Sequence, residues 1–108
     1  MTKAFRLSLA TSFFFSFIVP GATQTAPDVQ RGIVLARANC AQCHSIDKVG
    51  PSPLSIAPPF RDLHKRYPVE SLEEAFAEGI STGHPTMPEF RFEPDQIGNL
   101  IAFLKSLE

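Results

Sequence analysis

Five residues near the middle of the chain, Cys40-Ala41-Gln42-Cys43-His44, have the types and spacing to do chemistry together. Two thiols three positions apart, followed at once by an imidazole, form the C-x-x-C-H pattern of covalent haem attachment. At the end of a helix, thiols so spaced reach the two vinyl groups on neighbouring porphyrin edges and form thioethers. His44 then falls under the iron and offers a neutral ring nitrogen. Cys40 and Cys43 are the only cysteines in 108 residues. A thiol-redox pair would need a βαβ context, and no strand pattern precedes Cys40. A zinc site would need two further ligands, for which only His64 and His84 offer themselves.

A second iron ligand is sought on the other side of the ring. Beyond Met1 the chain has one methionine, Met87, in Thr82-Gly83-His84-Pro85-Thr86-Met87-Pro88. A methionine that fills core volume usually sits on an amphipathic helix, and no helical stripe surrounds this one. The flanking prolines stiffen the loop and present the thioether at a set angle. Met87 is therefore the expected sixth ligand, with His84 as competitor. A soft, neutral thioether opposite a histidine raises the reduction potential. Two strong axial ligands leave no place for oxygen, peroxide or substrate, which points to a single-electron carrier rather than an enzyme. A labile Met87 would instead open the iron to small ligands, as in a haem-based sensor or weak peroxidase.

Periodicity predicts the elements that must position these groups. Residues 28–41 read as a first helix, capped by Asp28, with Val29, Gly32, Ile33 and Ala36 on one face. Glycine costs a helix roughly 1 kcal/mol against alanine, so Gly32 implies a close approach by another helix. Residues 45–59 carry Gly50, Pro51, Pro53, Pro58 and Pro59 and read as irregular. Residues 60–67 suggest a short helical turn ended by Pro68. Residues 71–80 read as a second helix, with Ser71 and Glu74 as a capping box, Gly79 at its C-terminal end, and Leu72, Ala75 and Phe76 inward. Residues 82–92 are again loop. Pro94 opens a last helix with Ile97, Leu100, Ile101, Leu104 and Leu107 as its stripe and Phe103 on the flank. The class is all-α, three to four helices joined by long Pro-rich loops. Loops so long in so small a domain need an anchor, and a central haem would supply one.

The N-terminus reads separately. Lys3 and Arg6, then a nearly unbroken apolar run over residues 7–19, then Pro20, Gly21, Ala22 and Thr23, follow the order of a secretory signal peptide. The run is short for a bilayer span, which takes about 20 residues. The expected division is a signal over 1–22, cleaved somewhere from 22 to 26, and one domain over 23–108, with an uncleaved anchor as the other outcome. Loss of Lys3 and Arg6 from 10 basic and 11 acidic residues leaves 8 against 11, a net charge of −3. So acidic a domain does not suit nucleic acid, which asks for a basic face.

With these residues in view, the chain resembles a class I c-type cytochrome of the small, soluble, bacterial periplasmic kind, over about residues 28–107. The carriers of the resemblance are Cys40-Ala41-Gln42-Cys43-His44, Gly32 eight residues before Cys40, Leu100 and Phe103 in Leu100-Ile101-Ala102-Phe103-Leu104-Lys105, Gly50-Pro51, and Met87-Pro88. It implies the cytochrome c fold around one haem c. It implies electron transfer between a donor and an acceptor protein, membrane complexes among them, and assembly by cytochrome c maturation machinery. It also implies that Gly32 faces Leu100 and Phe103 where two helices cross, and that the Pro51 carbonyl accepts a hydrogen bond from His44. The lysine-rich docking face of mitochondrial relatives is absent, and Ala36 stands where they have an aromatic. Phe60, Phe90 and Phe92 are expected to wall the haem pocket, and Arg61 and Tyr67 are candidates to bond its propionates. Glu70, Glu73, Glu74 and Glu78 make an acidic helix face.

Overall fold

In a computed structural model, the structure describes residues 4, 9–18, 21, 26–80 and 86–108. The cleavage region at 22–25 and His84 lie outside them. Among the described residues the regular structure is helical: α1 (Pro27–Asn39), two 3-10 turns (Phe60–Lys65 and Val69–Ser71), α2 (Leu72–Glu78) and α3 (Pro94–Ser106). No helix of the described residues is long and apolar enough to cross a membrane.

Helices α1 and α3 form the frame. Proline stands at the first position of each, where a backbone N–H would have no intrahelical partner. At α1 the N-cap is Ala26; Asp28 lies inside the first turn and accepts from the Val29 N–H at 2.8 Å. Its carboxylate favours the helix N-terminus without capping it. The capping box occurs at α3 instead, where the Glu93 N–H donates to Gln96 Oε1 at 3.0 Å. Ser71 makes no side-chain cap, because Val69–Ser71 already forms a 3-10 turn that leads into α2.

Gly32 is buried on the face of α1 that meets α3. A β-carbon there would stand 2.7 Å from Phe103 Cβ and closer still to the Asn99 carbonyl oxygen. The two helices touch backbone to backbone, which only glycine allows. Phe103 is therefore at the crossing and 4% exposed, rather than on a flank. Leu100 and Leu104 are almost wholly enclosed, and Val69, Phe76, Leu63 and Phe60 complete the core from the short elements.

Helix α2 ends sooner than its apolar pattern suggests. Gly79 takes φ +104°, a left-handed value that stops the helix. Ile80 then leaves the helix and pairs antiparallel with Phe90, its N–H donating to the Phe90 carbonyl at 3.0 Å. The Phe92 N–H donates to the Phe76 carbonyl at 3.1 Å, and Arg91 donates to the Glu78 carbonyl at 2.6 Å. These bonds close the base of the loop that carries Met87. They also give orphaned carbonyls at the end of α2 their partners.

Candidate functional site

The C-terminal end of α1 places the thiols. The Cys40 and Ala41 N–H groups both reach back to the Ala36 carbonyl, and the Cys43 and His44 N–H groups to the Cys40 carbonyl. Residues 40–44 thus form a tight turn that continues the helix end. Both cysteines are free thiols, half-buried. Burial pushes the Cys40 thiol up to about 11. A thiol so disfavoured as thiolate is a poor redox nucleophile at neutral pH, which counts against a thiol oxidoreductase. Among the described residues no three His, Cys, Asp or Glu side chains come together to hold a metal ion.

Past His44 the chain doubles back under strict backbone control. The Ser45 N–H donates to Ser52 Oγ at 2.9 Å, the Leu54 N–H to the Cys43 carbonyl at 3.1 Å, and the Phe60 N–H to the Ser45 carbonyl at 2.9 Å. Gly50, at φ +94°, makes the reversal possible. The outcome corrects one expectation. His44 Nδ1 lies 2.7 Å from the carbonyl oxygen of Pro58, not of Pro51. Pro51 is exposed at the tip beside Gly50, while the Phe60–Ser45 bond draws Pro58 alongside the imidazole. A carbonyl can only accept, so Nδ1 carries the proton and Nε2 keeps its lone pair. That is the tautomer a metal ligand needs, and the hydrogen bond fixes its orientation and raises its basicity. The ring also lies against Phe60, centroid to centroid 5.0 Å.

A cleft of about 340 Å³ opens between these elements, within the size range of cofactor sites. Cys40, Cys43 and His44 line one side. Leu72 and Phe76 of α2 and Leu100 and Leu104 of α3 line its depth. Met87, half-buried, lines it together with Thr86, Pro88, Ile80 and Phe90. Phe60 is also in the wall. Phe92 is not: it sits behind the wall, stacked on Phe90 at 5.8 Å and tilted on Phe76 at 5.4 Å.

Arg61 and Tyr67 part company here. Tyr67 lines the cleft. Arg61 donates to Ser45 Oγ and to the Asp47 carbonyl, both at 3.3 Å, and fastens the loop after His44. The arginine that does line the cleft is Arg66, which sequence reasoning passed over. Its signal was only its place beside Tyr67. His64 is exposed on the 3-10 turn, away from the cleft.

Two thiols, a correctly protonated imidazole and a thioether around one apolar cleft match the donor set and the shape of a covalently bound haem. The sequence profile of the family described as Cytochrome c matches residues 29–108. The chain belongs to the cytochrome c family. It is 31% identical over 80 residues to a cytochrome c-553-like protein of Synechocystis sp., a match that covers 74% of this chain and 70% of that relative. No solved structure matches. Membership of the cytochrome c family implies a covalent haem c and electron transport, and the helical architecture agrees with it. Cys40 and Cys43, followed by His44, are consistent with a C-x-x-C-H haem-binding motif.

Proposed function

We propose that this cytochrome is a single-electron carrier with one haem c, held by thioethers at Cys40 and Cys43 and ligated by His44 and Met87. The observation that carries the reading is the meeting of His44 and Met87 on one apolar cleft, with Nδ1 of His44 engaged by the Pro58 carbonyl. Bound there, haem supplies an iron that changes oxidation state by one electron. The chain supplies the rest. Pro58 holds the His44 ring and fixes its tautomer. Phe60, Phe76, Phe90, Leu100 and Leu104 exclude water from the cleft. Such an apolar surround, with a thioether as one ligand, favours the ferrous state and a high potential.

With His44 and Met87 both holding the iron, the protein would transfer electrons and would not act as an enzyme by itself. It works in the periplasm after loss of residues 1–22, with the haem attached there by cytochrome c maturation machinery. It shuttles between donor and acceptor proteins, respiratory or dehydrogenase partners whose docking faces are neutral or basic, as its net charge of −3 asks.

A visible spectrum of the protein matured in a periplasm tests this. Haem that survives acid extraction, together with a far-red sulfur-to-iron charge-transfer band in the ferric state that Met87→Ala abolishes, is the expected result. A colourless product defeats the haem reading. Red protein without that band removes Met87 as a ligand and leaves His84 in its place or an open iron, as a sensor or peroxidase would have.

A further inference from the structure

Among the described residues Ser45 is the only buried polar one, and it directly follows His44. Its N–H donates to Ser52 Oγ, its carbonyl accepts from the Phe60 N–H, and its hydroxyl oxygen accepts from Arg61 Nη1 at 3.3 Å. The same Nη1 has a second hydrogen, and it donates to the Asp47 carbonyl, also at 3.3 Å. Asp62, the neighbour of Arg61 in the chain, pairs with Lys65 instead. The half-buried Arg61 is thus a charge-assisted donor shared between two neutral oxygens. Three rungs result: His44 to Pro58, Ser45 to Phe60 and Ser45 to Arg61. Each joins the segment after α1 to the segment that enters the first 3-10 turn. Between them stand Pro58 and Pro59, whose rings fix φ. A shift at residues 60 and 61 is therefore passed on to the Pro58 carbonyl rather than absorbed on the way.

We propose that Arg61 is a positioning residue for the axial histidine: its crossbar to Ser45 and Asp47 holds the Pro58 carbonyl against His44 Nδ1 and so strengthens His44 as a donor to the iron. The inference rests on the haem reading above and adds to it a residue that does not line the cleft. A carbonyl that accepts from Nδ1–H makes the imidazole more basic, and a more basic ligand favours ferric iron. Loss of the crossbar leaves the buried Ser45 hydroxyl one partner short. It also frees the stiff Pro58–Pro59 pair to drift from the ring. The Nδ1 proton is then easier for solvent to reach, and the imidazole is a weaker donor.

The test uses purified ferrous protein that carries haem. Solvent exchange of the His44 Nδ1 proton is followed by NMR, with the Leu100 and Leu104 amides of α3 as the gauge of global opening. Arg61→Gln is expected to speed the Nδ1 proton about tenfold and Ser45→Ala about threefold, with the α3 amides unchanged. Lys65→Gln breaks only the exposed pair with Asp62 on the same turn and leaves every rate at its wild-type value. Ser45→Ala keeps the arginine's charge, so it also isolates the effect on the iron. Against a soluble one-electron couple of known potential, its ferrous-to-ferric ratio is expected to rise about two- to threefold. Arg61→Gln is not read that way, because losing a cation and losing donor strength move the ratio in opposite directions. Wild-type Nδ1 exchange in both variants overturns the proposal. So does an acceleration shared equally by the α3 amides, or a ratio in Ser45→Ala at or below that of the wild type. Should Arg61→Gln fail to take up haem, Ser45→Ala decides by the same two readings. Wild-type protein without covalent haem defeats the function itself, an outcome distinct from all of these.

Discussion

The two walls of the cleft are built in different ways. On the His44 side, the five-residue turn at the helix end is followed by a loop stitched to itself through Ser45, Ser52, Leu54 and Phe60. The imidazole is held by a carbonyl on one edge and an aromatic ring on its face. On the Met87 side, the ligand rides on a loop tied at its base by the Ile80–Phe90 pairing, the Phe92–Phe76 bond and the Arg91–Glu78 bond. One wall is fixed by many mutually supporting bonds close to the ligand. Among the described residues, the bonds of the other lie at the base of its loop. In the carrier proposed above this difference would be useful, because the histidine would stay fixed on the metal while a neutral thioether would tolerate small adjustments.

Four substitutions sharpen or break that contrast. The largest effect is expected from Cys40→Ser with Cys43→Ser. All covalent haem is lost, seen as complete extraction of colour into acidified organic solvent. Next is Phe60→Ala. It removes a buried ring from the core and from the face of His44, and is expected to cost about 3–4 kcal/mol in denaturant unfolding. Gly32→Ala tests the frame that both walls lean on. Its methyl meets Phe103 and the Asn99 carbonyl, and forcing α1 from α3 costs about 2–3 kcal/mol. Smallest in stability is Arg91→Gln, which removes one exposed bond at the base of the Met87 loop, about 1 kcal/mol. Its sign appears elsewhere, as partial loss of the sulfur-to-iron band. If Arg91→Gln destabilised as much as Phe60→Ala, or left the band intact while Phe60→Ala removed it, the two walls would not differ as described.

Much of this was legible without coordinates, and the reason is locality. The pentapeptide at residues 40–44 names its own chemistry, since spacing along one helical turn is a property of neighbours in sequence. The Gly32 stripe and the Leu100–Leu104 stripe are periodic, and periodicity determines which faces meet. Even the left-handed stop at Gly79 follows from residue type. Capping was less legible. Ser71 and Glu74 have the right spacing, but a 3-10 turn ahead of them took the place of the cap. Residues 45–59 were least legible of all. They have no period, and four prolines and a glycine permit many reversals. Which carbonyl reaches His44 depends on where that segment folds back, and Pro58 rather than Pro51 resulted from bonds between residues 7 to 15 apart. The same holds for the arginines. Arg61 and Arg66 sit one 3-10 element apart, and only the path of the turn decides that one faces the loop and the other the cleft.

By itself, then, the amino-acid order indicated the cofactor chemistry and the helices of the frame, because each depends on residues within two or three turns of one another, while the partner of Gly32 followed only from the family resemblance. The tertiary structure alone decided what holds the imidazole, which aromatic rings touch the cleft and which cation stands at its mouth. Those choices rest on hydrogen bonds that close long irregular loops, and such bonds leave no repeating mark in a sequence.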